Sequence, residues 1–197
     1  MTALQAPIKI SLPLVLAGAA VLLTATASRG DEPIIDNDRV TIRRSSVSLP
    51  PEQHDYVAIS LSKRVSAIFG KKGHSPLADG APLLVIELKD HPVTSIANMS
   101  GFPAAFPRRG ARKLLENERV IVWSYRWTLG KPTPMHFHDK DAVVVFLDEG
   151  ELQSTTPDGK SVVSGNKRGD VRFSPRERIH TEVLLSGAES ALIAELK

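Results

Sequence analysis

The stretch that decides how this chain is read runs Gly130-Lys131-Pro132-Thr133-Pro134-Met135-His136-Phe137-His138-Asp139-Lys140-Asp141-Ala142-Val143-Val144-Val145-Phe146-Leu147-Asp148-Glu149-Gly150. His136 and His138 stand two residues apart, so on a strand their imidazoles share one face and come close enough to hold a single metal ion. Alone, a His-x-His pair is a weak sign, because such pairs also occur on strands with no ligand role. Residues 142–147 are apolar throughout, as in a strand covered on both faces. Its outer side must be covered either by the first half of the chain or by a second subunit.

Working outward, residues 119–129 alternate in the strand period: Ile121, Trp123, Tyr125, Trp127 and Leu129 share one face. Trp123 and Trp127 read as core or subunit interface rather than as a platform for a ligand. Arg126 lies on the opposite face, where it either reaches a carboxylate in a barrel mouth or points into solvent. Turn signals at Pro157-Asp158-Gly159, Gly165-Asn166 and Ser174-Pro175 then separate short strands up to residues 191–196. With no long amphipathic helix after the amino terminus, the pattern predicts an all-β sandwich or barrel.

These residues resemble the cupin superfamily. Its first motif is Gly, five residues, His-x-His, three or four residues, Glu, six residues, Gly; Gly130, His136, His138 and Gly150 fit it. Its second motif is Gly, five residues, Pro-x-Gly, two residues, His, three residues, Asn; Gly169, Pro175 and His180 fit it. The resemblance covers roughly residues 114–197 and implies a jelly-roll barrel in which His136, His138 and His180 hold one divalent metal. The chain departs from the motifs at Val143, where the family has its Glu ligand, at Glu177 for Gly, and at Leu184 for Asn. Two carboxylates could stand in for the missing Glu. Asp141 precedes Val143 by two residues, and Glu182 shares a strand face with His180. A carboxylate facing the interior beside His180 is costly unless paired or metal-bound.

Three imidazoles with open positions suit Fe, Zn, Mn, Ni or Cu, and ligand type does not choose among them. The resemblance makes a dioxygenase-like or isomerase-like reaction on a small organic molecule the leading expectation, with a non-catalytic metal- or ligand-binding module as the alternative. Cupins pair through their sheets, which implies a homodimer unless the first half already covers the apolar strand. His54, His74 and His91 fall outside this frame and read as surface histidines.

The 197 residues suffice for one well-buried domain. Lys9, an apolar run over residues 10–23 and Ala25-Thr26-Ala27 read as a cleavable signal cut after Ala27, which implies a periplasmic or secreted protein without a lasting membrane span. The absence of cysteine removes thiolate ligands and disulfides. Lys and Arg number 25 against 22 acidic residues, and the short basic clusters, Arg108-Arg109 among them, lack interleaved aromatics, so no nucleic-acid partner is expected. Residues 28–53 read as an extended polar arm ending in Pro50-Pro51. Residues 54–110 read as a β-rich block with a connecting loop, and 111–197 as the barrel. Asp55-Tyr56-Val57 with Leu84-Val85-Ile86-Glu87-Leu88-Lys89 echoes Asp141-Ala142-Val143 with Leu192-Ile193-Ala194-Glu195-Leu196-Lys197, so the first block reads as a trimmed repeat without metal ligands.

Overall fold

A computed structural model of the protein describes residues 32–45, 52–62, 66–74, 83–91 and 96–197. The expected signal segment and Pro50-Pro51 lie outside them. In the first half, β1 (Ile35–Asp36), β2 (Val40–Ser45), β3 (Tyr56–Ser60), β4 (Ser66–Gly70) and β5 (Leu83–Leu88) form one antiparallel sheet, ordered β1-β2-β5-β3-β4. The second half forms two sheets. One contains β6 (Arg112–Glu116), β7 (Val120–Arg126), β9 (Asp141–Phe146), β12 (Val171–Ser174) and β14 (Ser190–Leu196), ordered β6-β7-β14-β9-β12. The other contains β8 (His136–Phe137), β10 (Gly150–Thr155), β11 (Ser161–Asn166) and β13 (Ile179–Gly187), ordered β8-β13-β10-β11. The described residues contain no helix, and the second half is a cupin-type jelly roll.

The three sheets stack with the β7-β14-β9 sheet in the middle. Because side chains alternate along a strand, each central strand feeds two cores. Val120, Val122, Val143, Val145, Leu192 and Ala194 pack outward against Val40, Ile42, Val57, Ile59, Leu84 and Ile86 of the first sheet. Trp123, Ala142, Phe146, Ala191 and Ile193 pack inward with Leu152 and Leu184 of the third sheet. The first half of the chain, not a second subunit, is therefore what covers the doubly apolar β9.

Two expectations need correction. The arm expected over residues 28–53 is a strand pair where it is described: β2 pairs with β5, and Val40 and Ile42 are fully buried. Alternating apolar side chains drive this burial despite the polar neighbours. The strand expected over residues 119–129 ends earlier, at Arg126. Trp127 still donates its N–H to the Glu189 carbonyl, but Leu129 has turned into solvent.

The first sheet repeats the middle one strand for strand. Tyr56 opposes Glu87 as Ala142 opposes Glu195, and Val40 opposes Leu88 as Val120 opposes Leu196. Asn37 Oδ1 accepts the N–H groups of Arg39 and Val40, just as Asn117 Oδ1 accepts those of Arg119 and Val120. Among the described residues, the first half has no counterpart of the third sheet, the one that brings in β8 and β13.

Candidate metal centre

β8 and β13 pair so that His136 lies directly across from His180, placing the two side chains side by side on the inner face. His138 follows β8, held by its N–H to the Arg178 carbonyl and by its own carbonyl, which accepts the Glu177 N–H at 2.7 Å. The second of these bonds puts Glu177 at φ 70°, the left-handed region that the family's glycine would occupy without strain. The three rings are buried, with centroids 4.7 to 5.1 Å apart. One ligand nitrogen from each lies within 4.8 Å of the others.

Burial dominates the protonation of these imidazoles, pushing His138 down to about 3 and His180 to about 4, and lowering His136 as well. All three are neutral at neutral pH and have lone pairs to give. His136 Nδ1 donates to the Pro134 carbonyl at 2.8 Å, which leaves Nε2 facing the other histidines. His180 Nδ1 lies 2.9 Å from Ser154 Oγ, a hydroxyl that suits either ring tautomer, and 3.1 Å from Arg178 Nη2. His138 Nε2 and His180 Nε2 stand 3.0 Å apart. Two nitrogens about 2.1 Å from one ion and about 90° apart are separated by about 3.0 Å, so the donor set fits a divalent cation.

Glu182 joins this group and Asp141 does not. Glu182 Oε1 is 3.9 Å from His180 Nε2, while its Oε2 accepts from Trp127 Nε1 at 3.0 Å and from Arg108 Nη2 at 3.4 Å. Burial opposes its charge, but the Arg108 guanidinium, the adjoining imidazoles and the Trp127 N–H prevail and hold it at about 2. Asp141 instead binds the Arg176 N–H at 2.9 Å and Arg39 Nε at 3.4 Å, at the junction of the two halves. Arg126 is also outside the interior; it is two-thirds exposed and pairs with Asp148 at 3.4 Å. Of the alternatives open to them, Asp141 takes no place beside the histidines and Arg126 takes the solvent-facing one, because β9 and β7 turn these side chains toward partners outside the barrel.

The interior also holds residues the sequence reading placed elsewhere. Arg108, one of a short basic cluster in sequence, has a side chain only 11% exposed, stacked 3.9 Å from the Tyr125 ring and 3.4 Å from His136 Nε2. It arrives there because residues 104–106 run beside β8, with Ala105 N–H bonded to the Phe137 carbonyl and Phe106 stacked on Trp123. No local pattern announces that path. Arg172 and Arg178 also line the cavity, and for Arg172 a signal existed. Val171 and Phe173 pack on the outer core, so the residue between them must face inward. Trp127 is core, as expected, and its ring is also a wall of the site. His54 is not merely a surface group, since its Nδ1 lies 3.0 Å from the buried Glu87.

The chain matches no protein-family profile. It is 41% identical over 61 residues to the beta-alanine degradation protein BauB of Pseudomonas aeruginosa, a match covering 31% of this chain and 60% of the length of that curated relative. Among solved structures it is 31% identical to a cupin domain from Bordetella pertussis Tohama I, covering 49% of this chain and 96% of that one, with a TM-score of 0.41. A cupin 2 conserved barrel protein from Leptotrichia buccalis aligns over 84% of this chain and 88% of its own at 14% identity, with a TM-score of 0.50. The chain belongs to the cupin superfamily.

Proposed function

We propose that this protein is a secreted or periplasmic cupin that holds one divalent metal ion through His136, His138 and His180 and acts there on a small organic molecule, in a dioxygenase-like or isomerase-like reaction. The observation that carries the reading is the convergence of three buried, neutral imidazoles with ligand nitrogens within 4.8 Å of one another. A bound ion supplies a Lewis-acid or redox centre with open positions. The chain's own residues do the rest: Pro134 and Ser154 orient the rings, Glu182 keeps a negative charge beside His180, and Phe106 and Trp127 help shield the interior from water. The similarity to BauB, a protein of β-alanine degradation, supports a small organic molecule as the ligand.

One observation favours a second reading, a module that binds without turnover. Glu182, the ionised carboxylate of the cavity, is already engaged by Arg108 and Trp127 and is not a free general base. Metal analysis of the mature chain recovered from the exported fraction tests the main reading. About one equivalent of a divalent metal is expected, falling to a small fraction in His136→Ala and His180→Ala. Unchanged metal content in both variants would sink the proposal, and metal uptake with no product formed from small organic acids would leave the binding module.

A further inference from the structure

The barrel interior carries more positive charge than the chain itself balances. Arg108, Arg172 and Arg178 all line one cavity, and Glu182 is the one carboxylate among its described lining residues. With neutral histidines, three guanidiniums against one carboxylate leave a charge of +2, which a divalent ion would raise to +4. Arg108 is committed to Glu182. Arg172 and Arg178 are not: neither has a carboxylate within 4.0 Å among the described residues, and their bonds go to neutral acceptors. Arg172 Nη2 donates to Asn166 Oδ1 at 2.8 Å and to Ser164 Oγ at 3.1 Å, while Arg178 Nη1 donates to Ser174 Oγ at 2.5 Å. Glu189, bonded to Asn166, lies beyond ion-pair distance of both.

Arg172 and Arg178 are half-buried; guanidiniums withdrawn from water without an anionic partner are costly, and a planar, five-donor fork is matched best by a carboxylate. Resting on the reading of this cavity as the ligand site, we infer that Arg172 and Arg178 form an anion subsite that selects a small carboxylate as ligand or substrate. Size narrows the class further. The cavity measures about 40 Å³. A cavity this small favours a short-chain acid of a few carbons over a larger ligand.

Calorimetric titration of the full mature chain with propionate and with its neutral isostere propionamide tests the inference, in metal-free and Co²⁺-loaded forms. Propionate should bind at least tenfold more tightly than propionamide to both. Arg172→Gln should lose at least tenfold of that affinity with Co²⁺ uptake unchanged; Arg178→Gln, whose guanidinium also touches His180, should lose at least tenfold in the metal-free form, and Arg178→Lys should recover part of it. Equal affinity for acid and amide overturns the inference without needing any variant to fold. So does propionate binding that requires Co²⁺ and ignores both arginine variants, because the acid is then a metal ligand. Tighter binding of inorganic phosphate than of propionate overturns the carboxylate class. Failure of the unaltered chain to take up Co²⁺ counts against the metal centre instead, and the metal-free titration still decides the subsite.

Discussion

Glu189 shows how far burial governs single residues in this barrel. It has no exposed surface; Asn166 Nδ2 donates to its Oε1 at 2.6 Å, and Oε2 has no hydrogen-bond partner. Burial outweighs the favourable effects of Asn166 and Arg172 and raises its carboxyl from 4.5 to about 7. Between those pH values the folded chain keeps a proton that the unfolded chain has released, so stability falls as pH rises. At about 1.4 kcal/mol per pH unit the cost reaches about 3 kcal/mol above pH 7 and vanishes below the unfolded value. Glutamine keeps the acceptor for Asn166 and never ionises. Glu189→Gln should therefore raise the melting temperature by several degrees at pH 8 and scarcely change it at pH 4.5, as read by scanning calorimetry. An equal shift at both pH values would contradict a titrating origin. Nothing near Glu189 in the sequence signals this burial, whereas His136 and His138 were legible from strand spacing, His180 from the resemblance to the second cupin motif, and Glu182 from sharing a strand face with His180. Arg108 was not, since its place depends on how a connecting segment crosses the barrel.

Among the elements, β2 and β9 mark the limits of a local reading. β9 declares itself through an unbroken apolar run, and the structure covers both of its faces. β2 is hidden by Arg43 and Arg44, which flank only one of its two buried apolar side chains, and by the masking effect of a polar approach. The informative signal was at longer range. Ile35-Asp36-Asn37-Asp38-Arg39-Val40-Thr41-Ile42 parallels Leu115-Glu116-Asn117-Glu118-Arg119-Val120-Ile121-Val122, and the two stretches occupy equivalent places in their sheets. Ile42 is fully buried between the first and middle sheets, in the position that Val122 takes in the second half. Ile42→Ala should then destabilise the protein by roughly 3 kcal/mol, the range for a large-to-small change in a packed core. Urea denaturation measures it. A loss below roughly 0.5 kcal/mol, the range of surface substitutions, would return this segment to the status of an arm.

At the scale of the whole molecule, the two halves meet through reciprocal contacts. Arg39 of the first half reaches Asp141 and the Lys197 carbonyl of the second, and Arg119 of the second reaches the Leu88 and Lys89 carbonyls of the first. Reciprocal contacts of this kind are the mark of a self-complementary surface. The first half thus supplies what a second barrel would otherwise supply, a matching sheet laid on the apolar face of Val120, Val122, Val143, Val145, Leu192 and Leu196. Each of those side chains would cost roughly 1.5–3 kcal/mol if left in water, so the face cannot stay bare. With the first half in place it is already filled, and the mature chain should sediment as a monomer at micromolar concentration. A chain reduced to residues 111–197 should instead form a dimer through the vacated face, and Val145→Lys in that shortened chain should abolish the dimer by placing a charge at its centre. Sedimentation equilibrium on the three proteins decides the matter: a dimeric mature chain, or a folded monomer of residues 111–197, would each refute the idea that the first half is a built-in partner.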